Sequence, residues 1–343
     1  MAGSGKNYAK EIESVLSELP DFVRDFIYNF GHTQNYATKF EYARDIRDYF
    51  RFLVNFVPEL SDKDIKDLTL TEVESVEPLE INRYLTLLQG DSTTGLKLTT
   101  VKRRRATLSS MYGFYVNNGK MSKNPVLATK TIKIPEKNVI YLTNEEQNLL
   151  LDTVRSGSNL PDKTAKIHNK YANRDSALFL LLLDTGLRVS EMLSTDICDY
   201  NLEAGSVIVT RKGGDIQEVY YSDECAQCLL EYFYDQREKF SLRTDKEIPA
   251  FTTLSGERLG VRAVETLVKK YVSACLPEKT KLISPHKLRS SFAMSFYEAS
   301  GNNILLLQKK LNHKSITTTN IYAKASDKEV KETRNLLSRN RNS

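Results

Sequence analysis

Residues 311–322 read LNHKSITTTNIY and contain a predicted junction between two helices. One helix ends near Leu311, where Asn312 can adopt the left-handed conformation that often closes a helix. His313 follows at the junction, and Tyr322 comes nine residues later on the next helical segment. Because the chain has 18 tyrosines, Tyr322 taken alone would more often be a packing residue than a nucleophile. Whether Tyr322 is a nucleophile therefore has to be judged together with the other candidate catalytic residues.

The segment TGLRVSE, residues 185–191, follows the apolar stretch Ser176–Thr185 and a turn at Gly186. Arg188 and Glu191 are three residues apart, a spacing that brings two side chains together on a helix. Such a pair is usually a structural ion pair. A functional role for Arg188 is the less frequent alternative.

The segment SPHKLR, residues 284–289, predicts a helix start. Ser284 suits the N-cap and Pro285 suits the first helical position. His286 and Arg289 then share one face, beside free backbone N–H groups at the positive end of the helix dipole. This arrangement suits a phosphate, although a polar helix start without a ligand explains the segment equally well.

A β-hairpin is predicted between the two arginine segments. Ser206–Thr210 and Glu218–Tyr221 are predicted strands, and the turn Arg211–Asp215 contains two glycines. This places Lys212 at the tip of the hairpin. A lysine at such a tip is commonly only solvated, so Lys212 alone carries little weight.

Apolar residues recur at three- and four-residue spacings in the first half of the chain, which predicts helices. The predicted helices are Phe22–Phe30, Ala37–Phe56, Glu80–Leu88 and Thr99–Asn117. The fourth starts at Thr99 or Thr100 and is expected to face the core with Val101, Leu108, Met111, Tyr112 and Tyr115. The four basic residues of its first turns, Lys102, Arg103, Arg104 and Arg105, are expected to reach outward.

Positive charge is concentrated in one part of the chain. Residues 97–137 contain ten Lys or Arg and one acid, Glu136, whereas the net charge of the whole chain is only +5. Such a block indicates a polyanionic partner, with a solvated basic helix face as the simpler alternative.

The pattern changes around residues 124–138. Asn124-Pro125 ends the helical pattern and Thr129–Asn138 is predicted to be extended, so a linker is placed at about residues 126–140. We therefore expect a helical domain over residues 1–136 and a second domain over 137–343. The second domain is expected to begin with a capped helix near Thr143, to include a loop at Ser156–Arg174, and to end in a helical tail, residues 326–343.

The composition is that of a globular protein, which we expect to remain in the cytoplasm. The chain has 343 residues, of which 40% are hydrophobic and 27% charged, and no apolar run of membrane-spanning length. Four cysteines predict no disulfide scaffold, and the lone Cys225–Cys228 pair is interpreted as packing. The glycine-rich start, Met1–Lys6, lacks the context of a phosphate loop.

In order along the chain, these segments resemble the motifs of the tyrosine recombinase (phage integrase) family, in particular Xer-type or simple integrases without an arm-binding domain. Residues 185–191, 284–289 and 311–322 resemble its TGLRxSE, HxLR and LGH…TTxIY boxes, and Thr99–Pro125 resembles the end of its core-binding domain. Asn312 replaces the usual Gly and Ser290 replaces a common His. The catalytic positions that the resemblance implies are Arg188, Lys212, His286, Arg289, His313 and Tyr322, with Glu191 as support.

The resemblance implies a fold that is mainly α with a small β-sheet, closing around DNA as a C-shaped clamp. Tyr322 would form a 3′-phosphotyrosine, and strand exchange would pass through a Holliday junction without metal or ATP. The expected DNA-binding residues are Lys102, Arg103, Arg104, Arg105, Lys120, Lys123, Lys130, Lys133 and Lys137. The implied partners are double-stranded DNA at specific sites, three further copies in a tetramer joined through the C-terminal tail, and an accessory protein.

Two alternatives remain at this point. A type IB topoisomerase uses similar Tyr, Arg, Lys and His chemistry, and a catalytically inactive regulator would bind DNA with the same fold. The sequence does not distinguish integration or excision of a mobile element from Xer-type dimer resolution, and it does not give the target site.

Overall fold

The computed structural model describes residues 8–29, 36–90, 95–135, 138–211, 214–239, 248–312 and 315–325. The chain divides into two compact units, residues 1–136 and 137–343. Each unit has its own apolar core. Lys137, Lys212, His313 and the tail 326–343 lie outside the described residues.

The first unit is helical. Its helices are α1 (Tyr8–Leu16), α2 (Asp21–Asn29), α3 (Tyr36–Phe56), α4 (Leu70–Ser75), α5 (Pro78–Gln89) and α6 (Leu98–Asn117). The four predicted helices are thus confirmed to within about two residues at each described end, and α1 and α4 are additional. α6 begins after Lys97 rather than at Thr99 or Thr100.

Helix α6 packs against α3 and α5 in the core of this unit. Val101, Leu108, Met111, Tyr112 and Tyr115 are all fully buried, as predicted. The Tyr112 hydroxyl lies 3.1 Å from that of Tyr49 on α3 and donates to the carbonyl oxygen of Val73 at 2.9 Å, so both phenols are hydrogen-bonded in the core. These contacts join α6 to α3 and α4.

The expectation that the arginines of α6 reach outward is wrong for Arg104 and Arg105. Arg104 contacts the carboxylates of Asp45 and Asp48, and its side chain is only 14% exposed. Arg105 donates to Thr129 Oγ1 and to the carbonyl oxygen of Val126, both at 2.8 Å. The period of a helix predicts which face a residue occupies, but it does not reveal that acids of α3 face the same side.

Arg103 shares this inward arrangement in part. It binds both carboxylate oxygens of the buried Asp45, at 2.5 and 3.0 Å, although 39% of its side chain remains exposed. Its guanidinium therefore neutralises an internal acid before it can meet a phosphate.

The second unit combines helices with one antiparallel sheet. Its elements are α7 (Asn144–Ser156), α8 (Asp162–His168), α9 (Ala172–Thr185), α10 (Val189–Leu193), β1 (Tyr200–Asn201), β2 (Ser206–Thr210), β3 (Ile216–Tyr220), α11 (Asp223–Lys239), α12 (Val261–Cys275), α13 (Pro285–Ala299), α14 (Ile304–Leu311) and α15 (Ile316–Ala325). The apolar helix α9 forms the centre and packs against α7, α11 and α13.

The sheet has the order β1-β2-β3, and Val207 pairs with Val219 across β2 and β3. The predicted hairpin is confirmed, although β3 starts two residues earlier than expected and β1 was missed. The predicted loop Ser156–Arg174 is wrong in part, because α8 and the start of α9 lie within it. The predicted capped start at Thr143 is confirmed by its reciprocal bonds with Glu146.

Candidate active site

Arg188 lies at the start of α10, directly after the end of α9. Its backbone N–H donates to Glu191 Oε2 at 3.0 Å, and its Nη1 donates to Glu191 Oε1 at 2.6 Å. The Arg188 side chain is 39% exposed whereas Glu191 is 5% exposed. The buried carboxylate therefore holds a guanidinium whose other nitrogens can meet a ligand.

Glu191 also binds Arg211, whose Nη1 donates to Oε2 at 2.6 Å. Burial alone would raise the pKa of Glu191, but the hydrogen bonds from Arg188 and the charges of Arg211 and Arg188 outweigh it, so the pKa is lowered. Glu191 is consequently an anion shared by two arginines, which suits an orienting group and not a general base.

Arg289 lies on the buried side of α13 and is 3% exposed. Its Nη1 donates to the carbonyl oxygen of Gly186 at 2.5 Å, and its Nη2 donates to that of Leu311 at 2.7 Å. Gly186 closes α9 and Leu311 ends α14, so the guanidinium meets the C-terminal carbonyls of two helices. The negative ends of their dipoles stabilise the buried cation.

Several charged groups surround Arg289. Burial, the largest cause, and the positive charges of Arg188 and Arg211 together lower its pKa to about 10, while Glu191 and Tyr322 act in the opposite sense. Arg289 still carries its charge at neutral pH. Groups from α10, from the end of β2 and from α15 are therefore close to one guanidinium on α13.

His286 lies in the first turn of α13 and is exposed. Ser284 and Pro285 occupy the N-cap and first helical positions, as the sequence predicts. Partial desolvation, followed by the positive charges of Lys287, Arg289 and Arg188, lowers the pKa of His286. Its ring is therefore neutral at pH 7 and is able to accept a proton.

Tyr322, on α15, is only 3% exposed. It packs in a small apolar cluster whose other buried members are Phe292, Ala293, Met294, Tyr297, Leu307 and Leu311. Asn312 ends α14 at φ 49° and ψ 50°, which confirms the predicted left-handed cap. The candidate nucleophile therefore lies in a packed, shielded position, close enough to Arg289 to affect the pKa of its guanidinium.

The sequence prediction included six catalytic positions, and the structure brings Arg188, His286, Arg289 and Tyr322 together in the second unit. Lys212 and His313 lie outside the described residues. Arg211 was missed. A signal existed, since Val207 and Val209 are buried and strand alternation puts Arg211 on that same inner side.

Five of the candidate DNA-binding lysines are exposed in the first unit: Lys102, Lys120, Lys123, Lys130 and Lys133. They are free to meet a polyanion in a way that Arg104 and Arg105 are not. Within the described ranges, no helix is long and apolar enough to cross a membrane. The same part of the chain contains no group of three or more His, Cys, Asp or Glu residues placed to hold a metal ion.

Solved structures with similar folds come from DNA-bound recombinases. XerH site-specific recombinase bound to palindromic difH substrate matches with a TM-score of 0.63 and 18% identity, covering 93% of this chain and 94% of that one. The Tn1549 transposon integrase in complex with transposon right end DNA matches with a TM-score of 0.64 and 17% identity, covering 91% and 98%. The fold is therefore that of site-specific recombinases and integrases.

Residues 141–329 match the family described as the phage integrase family, and the chain belongs to that family. It is 29% identical to the tyrosine recombinase XerC of Caldanaerobacter subterraneus, over 85% of this chain and 78% of the relative. It is 28% identical to XerS of Lactococcus lactis, over 94% and 96%. The protein is a tyrosine recombinase, an enzyme of site-specific DNA breakage and rejoining, and the topoisomerase and inactive-regulator alternatives are not favoured.

Proposed function

We propose that Tyr322 cleaves one strand of a specific DNA site and that the same chain rejoins it to a new partner. The Tyr322 oxygen forms a bond to phosphorus as the bond from phosphorus to the 5′-oxygen breaks. The phenol loses its proton, the 5′-oxygen gains one, and the product is a 3′-phosphotyrosine. Rejoining reverses the step, so it needs no external energy source.

The observation that supports this most strongly is the position of Arg289. Its buried guanidinium is close enough to Arg188, Glu191, Arg211 and Tyr322 for each to affect its pKa. Fixed cations are most effective where charge develops in the transition state, here on the non-bridging phosphate oxygens. Arg188, partly exposed and held by Glu191, and Arg289 are assigned to those oxygens.

The proton-transfer roles follow from the remaining groups. A free tyrosine has a pKa of about 10, so its proton has to be removed or its phenolate stabilised. The neutral ring of His286 is suited to accept that proton, and His313 is assigned a hydrogen bond to the phosphate. Lys212 is assigned to protonate the leaving 5′-oxygen. No metal or ATP has a part in these steps.

The buried position of Tyr322 adds a requirement. Because its ring is packed among Phe292, Tyr297 and Leu311, the phenol has to leave this cluster before it reaches a phosphorus atom. Assembly of the synaptic complex on DNA is proposed to release the phenol from the cluster. Cleavage by a protomer outside that complex is then suppressed.

A suicide substrate tests the proposal. Candidate sites from DNA flanking the gene are nicked so that cleavage releases a short fragment and traps the covalent complex. Wild-type protein is expected to give a covalent DNA adduct on one sequence, and Tyr322→Phe none. Tyr297→Phe is a matched control, because Tyr297 is 4% exposed in the same cluster. Absence of an adduct with every candidate DNA, or an adduct with Tyr322→Phe, would contradict the assignment.

Recombination of two sites is proposed to use a tetramer joined by the tail, residues 326–343. The tail carries Val330, Thr333, Leu336 and Leu337 at helical spacing. The second unit has an open groove of about 460 Å³, lined in part by Leu183, Phe292 and Phe296, as a candidate acceptor for a neighbour's tail. Dimer resolution and exchange of a mobile element are both compatible with this assembly, with or without an accessory protein.

Assembly on DNA tests the role of the tail. Phe296→Asp is expected to bind one site normally but to lose the complex of two sites in a gel-shift assay. Leu305→Asp is the control, because Leu305 is 66% exposed and is not part of the groove lining. Equal loss of the two-site complex in both variants would argue against the groove.

A further inference from the structure

Arg211 is a third arginine near the candidate active site, and it comes directly before Lys212. Its side chain is 2% exposed. Nη1 donates to Glu191 Oε2 at 2.6 Å and Nε donates to Gln217 Oε1 at 2.9 Å. Nη2 is buried and has no hydrogen-bond partner among the described residues.

A stabilising role alone does not explain why an arginine is buried at position 211. An arginine that buries one unpartnered nitrogen costs free energy, since a buried donor without an acceptor keeps its full desolvation penalty. Replacing buried ion pairs by apolar residues is often neutral or stabilising. A buried guanidinium near Arg289, with one donor that no described residue accepts from, therefore suggests a part in the reaction.

Arg211 affects how much of the Arg188 guanidinium stays exposed to a ligand. Glu191 is buried, and with Arg188 as its sole cationic partner it would draw that guanidinium fully into a buried pair. Arg211 instead contributes a second positive charge to the Oε2 oxygen, while Arg188 Nη1 remains on Oε1. Sharing the carboxylate between two guanidiniums lets Arg188 keep 39% of its side chain exposed.

The charge balance agrees with this role. The guanidiniums of Arg188, Arg211 and Arg289 and the carboxylate of Glu191 leave two net positive charges in the cluster. A phosphodiester attacked by a phenolate carries two negative charges in total. Loss of Arg211 would leave one net positive charge, and the local field would then match the transition state less well.

Arg211 also connects the hairpin to this cluster. Its backbone N–H donates to the carbonyl oxygen of Asp215 at 2.7 Å, and its own carbonyl accepts from the Gly214 N–H at 3.0 Å. The same residue therefore closes the turn with its backbone and binds Glu191 with its side chain. The stem of the hairpin that carries Lys212 is fixed relative to Arg188 through one residue.

We propose that Arg211 is a positioning residue for strand cleavage, which shares Glu191 so that Arg188 is free to bind the scissile phosphate and which anchors the stem of the β2–β3 hairpin. This rests on the proposed function of the site. It assigns to Arg211 an effect on the chemical step, carried through Glu191 and through the net charge of the cluster, and not on affinity for DNA.

Single-turnover cleavage of a suicide substrate, with DNA affinity measured separately, tests the proposal. Arg211→Gln is expected to slow cleavage at saturating DNA by about ten- to a hundredfold, the usual effect of removing a group that orients a reacting one. Its Kd for DNA is expected to stay within about threefold of wild type. Arg211→Lys, which keeps the charge, is expected to recover most of the rate.

The double variant Glu191→Gln/Arg211→Gln gives the sharper test. It restores two net positive charges and removes the carboxylate that would capture Arg188, so it is expected to cleave faster than Arg211→Gln. A purely structural role predicts instead that the cleavage rates of the two variants follow their free energies of unfolding, because removing both partners of a buried ion pair can restore stability. Where Arg211→Gln does not fold, the double variant is compared with Glu191→Gln, and the two rates are expected to agree within about threefold.

Four outcomes would overturn the proposal: a wild-type rate in Arg211→Gln, a loss of DNA binding that matches its loss of rate, an Arg211→Lys rate no better than that of Arg211→Gln, or a double variant slower than its reference. Failure of the proposed function looks different, because wild-type protein would then form no Tyr322 adduct at all. If wild type forms the adduct and Arg211→Gln forms it at the same rate, the role of Arg211 is wrong while the proposed function stands.

Discussion

The Nη2 atom of Arg289 donates to the backbone carbonyl oxygen of Leu311 at 2.7 Å. Leu311 is the last residue of α14, so this bond joins the helix that carries His286 to the segment that leads to Tyr322. The other arm of the same guanidinium holds the carbonyl of Gly186. A residue assigned to phosphate binding thus also holds three parts of the site in register.

Arg289→Lys is expected to lose both cleavage and stability. A lysine cannot reach two carbonyls with one planar fork, so at least one buried helix-end carbonyl is left unpaired, at about 1–3 kcal/mol. Loss of one phosphate ligand is expected to slow cleavage by about a hundredfold or more. Single-turnover rates and urea unfolding measure the two effects, and unchanged stability would contradict the double role.

Gly186→Ala is expected to lower stability and slow cleavage because of a steric clash. Gly301→Ala is the matched control, which has the backbone strain without the clash. Gly186 has φ +61°, and an added Cβ would lie 2.2 Å from Cδ1 of Phe292. Gly301 has φ +65° with open space around it. Both alanine variants pay about 1 kcal/mol for the left-handed backbone.

The clash at Gly186 adds to that cost, because a packed core resists extra volume by about 1–3 kcal/mol. It also displaces the carbonyl that holds Arg289. Gly186→Ala should therefore unfold at lower urea than Gly301→Ala and cleave more slowly. Equal unfolding midpoints for the two variants would exclude the clash.

The pH dependence of cleavage should report His286. Its pKa is lowered below the ordinary value of about 6.5, chiefly by partial desolvation and then by neighbouring cations. The neutral, proton-accepting form therefore predominates at pH 7 and is lost as the pH falls through a value below about 6.5. We expect cleavage at subsaturating DNA to decline on that acid side, and His286→Gln to remove this limb.

Lys287→Gln provides an independent check of the same group. Lys287 is one of the cations that lower the pKa of His286, so its neutralisation should raise that pKa. The acid limb is then expected to move to higher pH while the rate at pH 8 stays unchanged. A limb that does not move, or that persists in His286→Gln, would assign the titration to another group.

The sequence predicted the helices of the first unit and the hairpin well, because periodicity in hydrophobic residues reports which side of an element is buried. It predicted the cap at Asn312 and the helix start at Ser284 from local chemistry alone. Local patterns do not predict the pairing of Arg104 with Asp45, since these residues are 59 positions apart in sequence. The burial of Tyr322 and the sharing of Glu191 by two arginines likewise depend on tertiary packing.

Lys102→Ala is expected to weaken DNA binding without changing stability, and Arg104→Ala is expected to lower stability without changing DNA binding. Lys102 is exposed at the start of α6. Removing one phosphate contact is expected to make the negative slope of log K against log salt shallower by about 0.9. Its unfolding free energy should not change. Arg104 contacts Asp48 at 2.9 Å and the Tyr84 hydroxyl at 3.3 Å, and it faces the buried Asp45.

Arg104→Ala therefore leaves buried polar groups without their cation, and we expect it to destabilise the chain by about 1–3 kcal/mol. The salt slope for DNA should remain that of wild type, because Arg104 is used internally. Burial raises the pKa of Asp45, and loss of a nearby cation is expected to raise it further. A reduced salt slope in Arg104→Ala at unchanged stability would show instead that this arginine leaves Asp45 and Asp48 to bind phosphate.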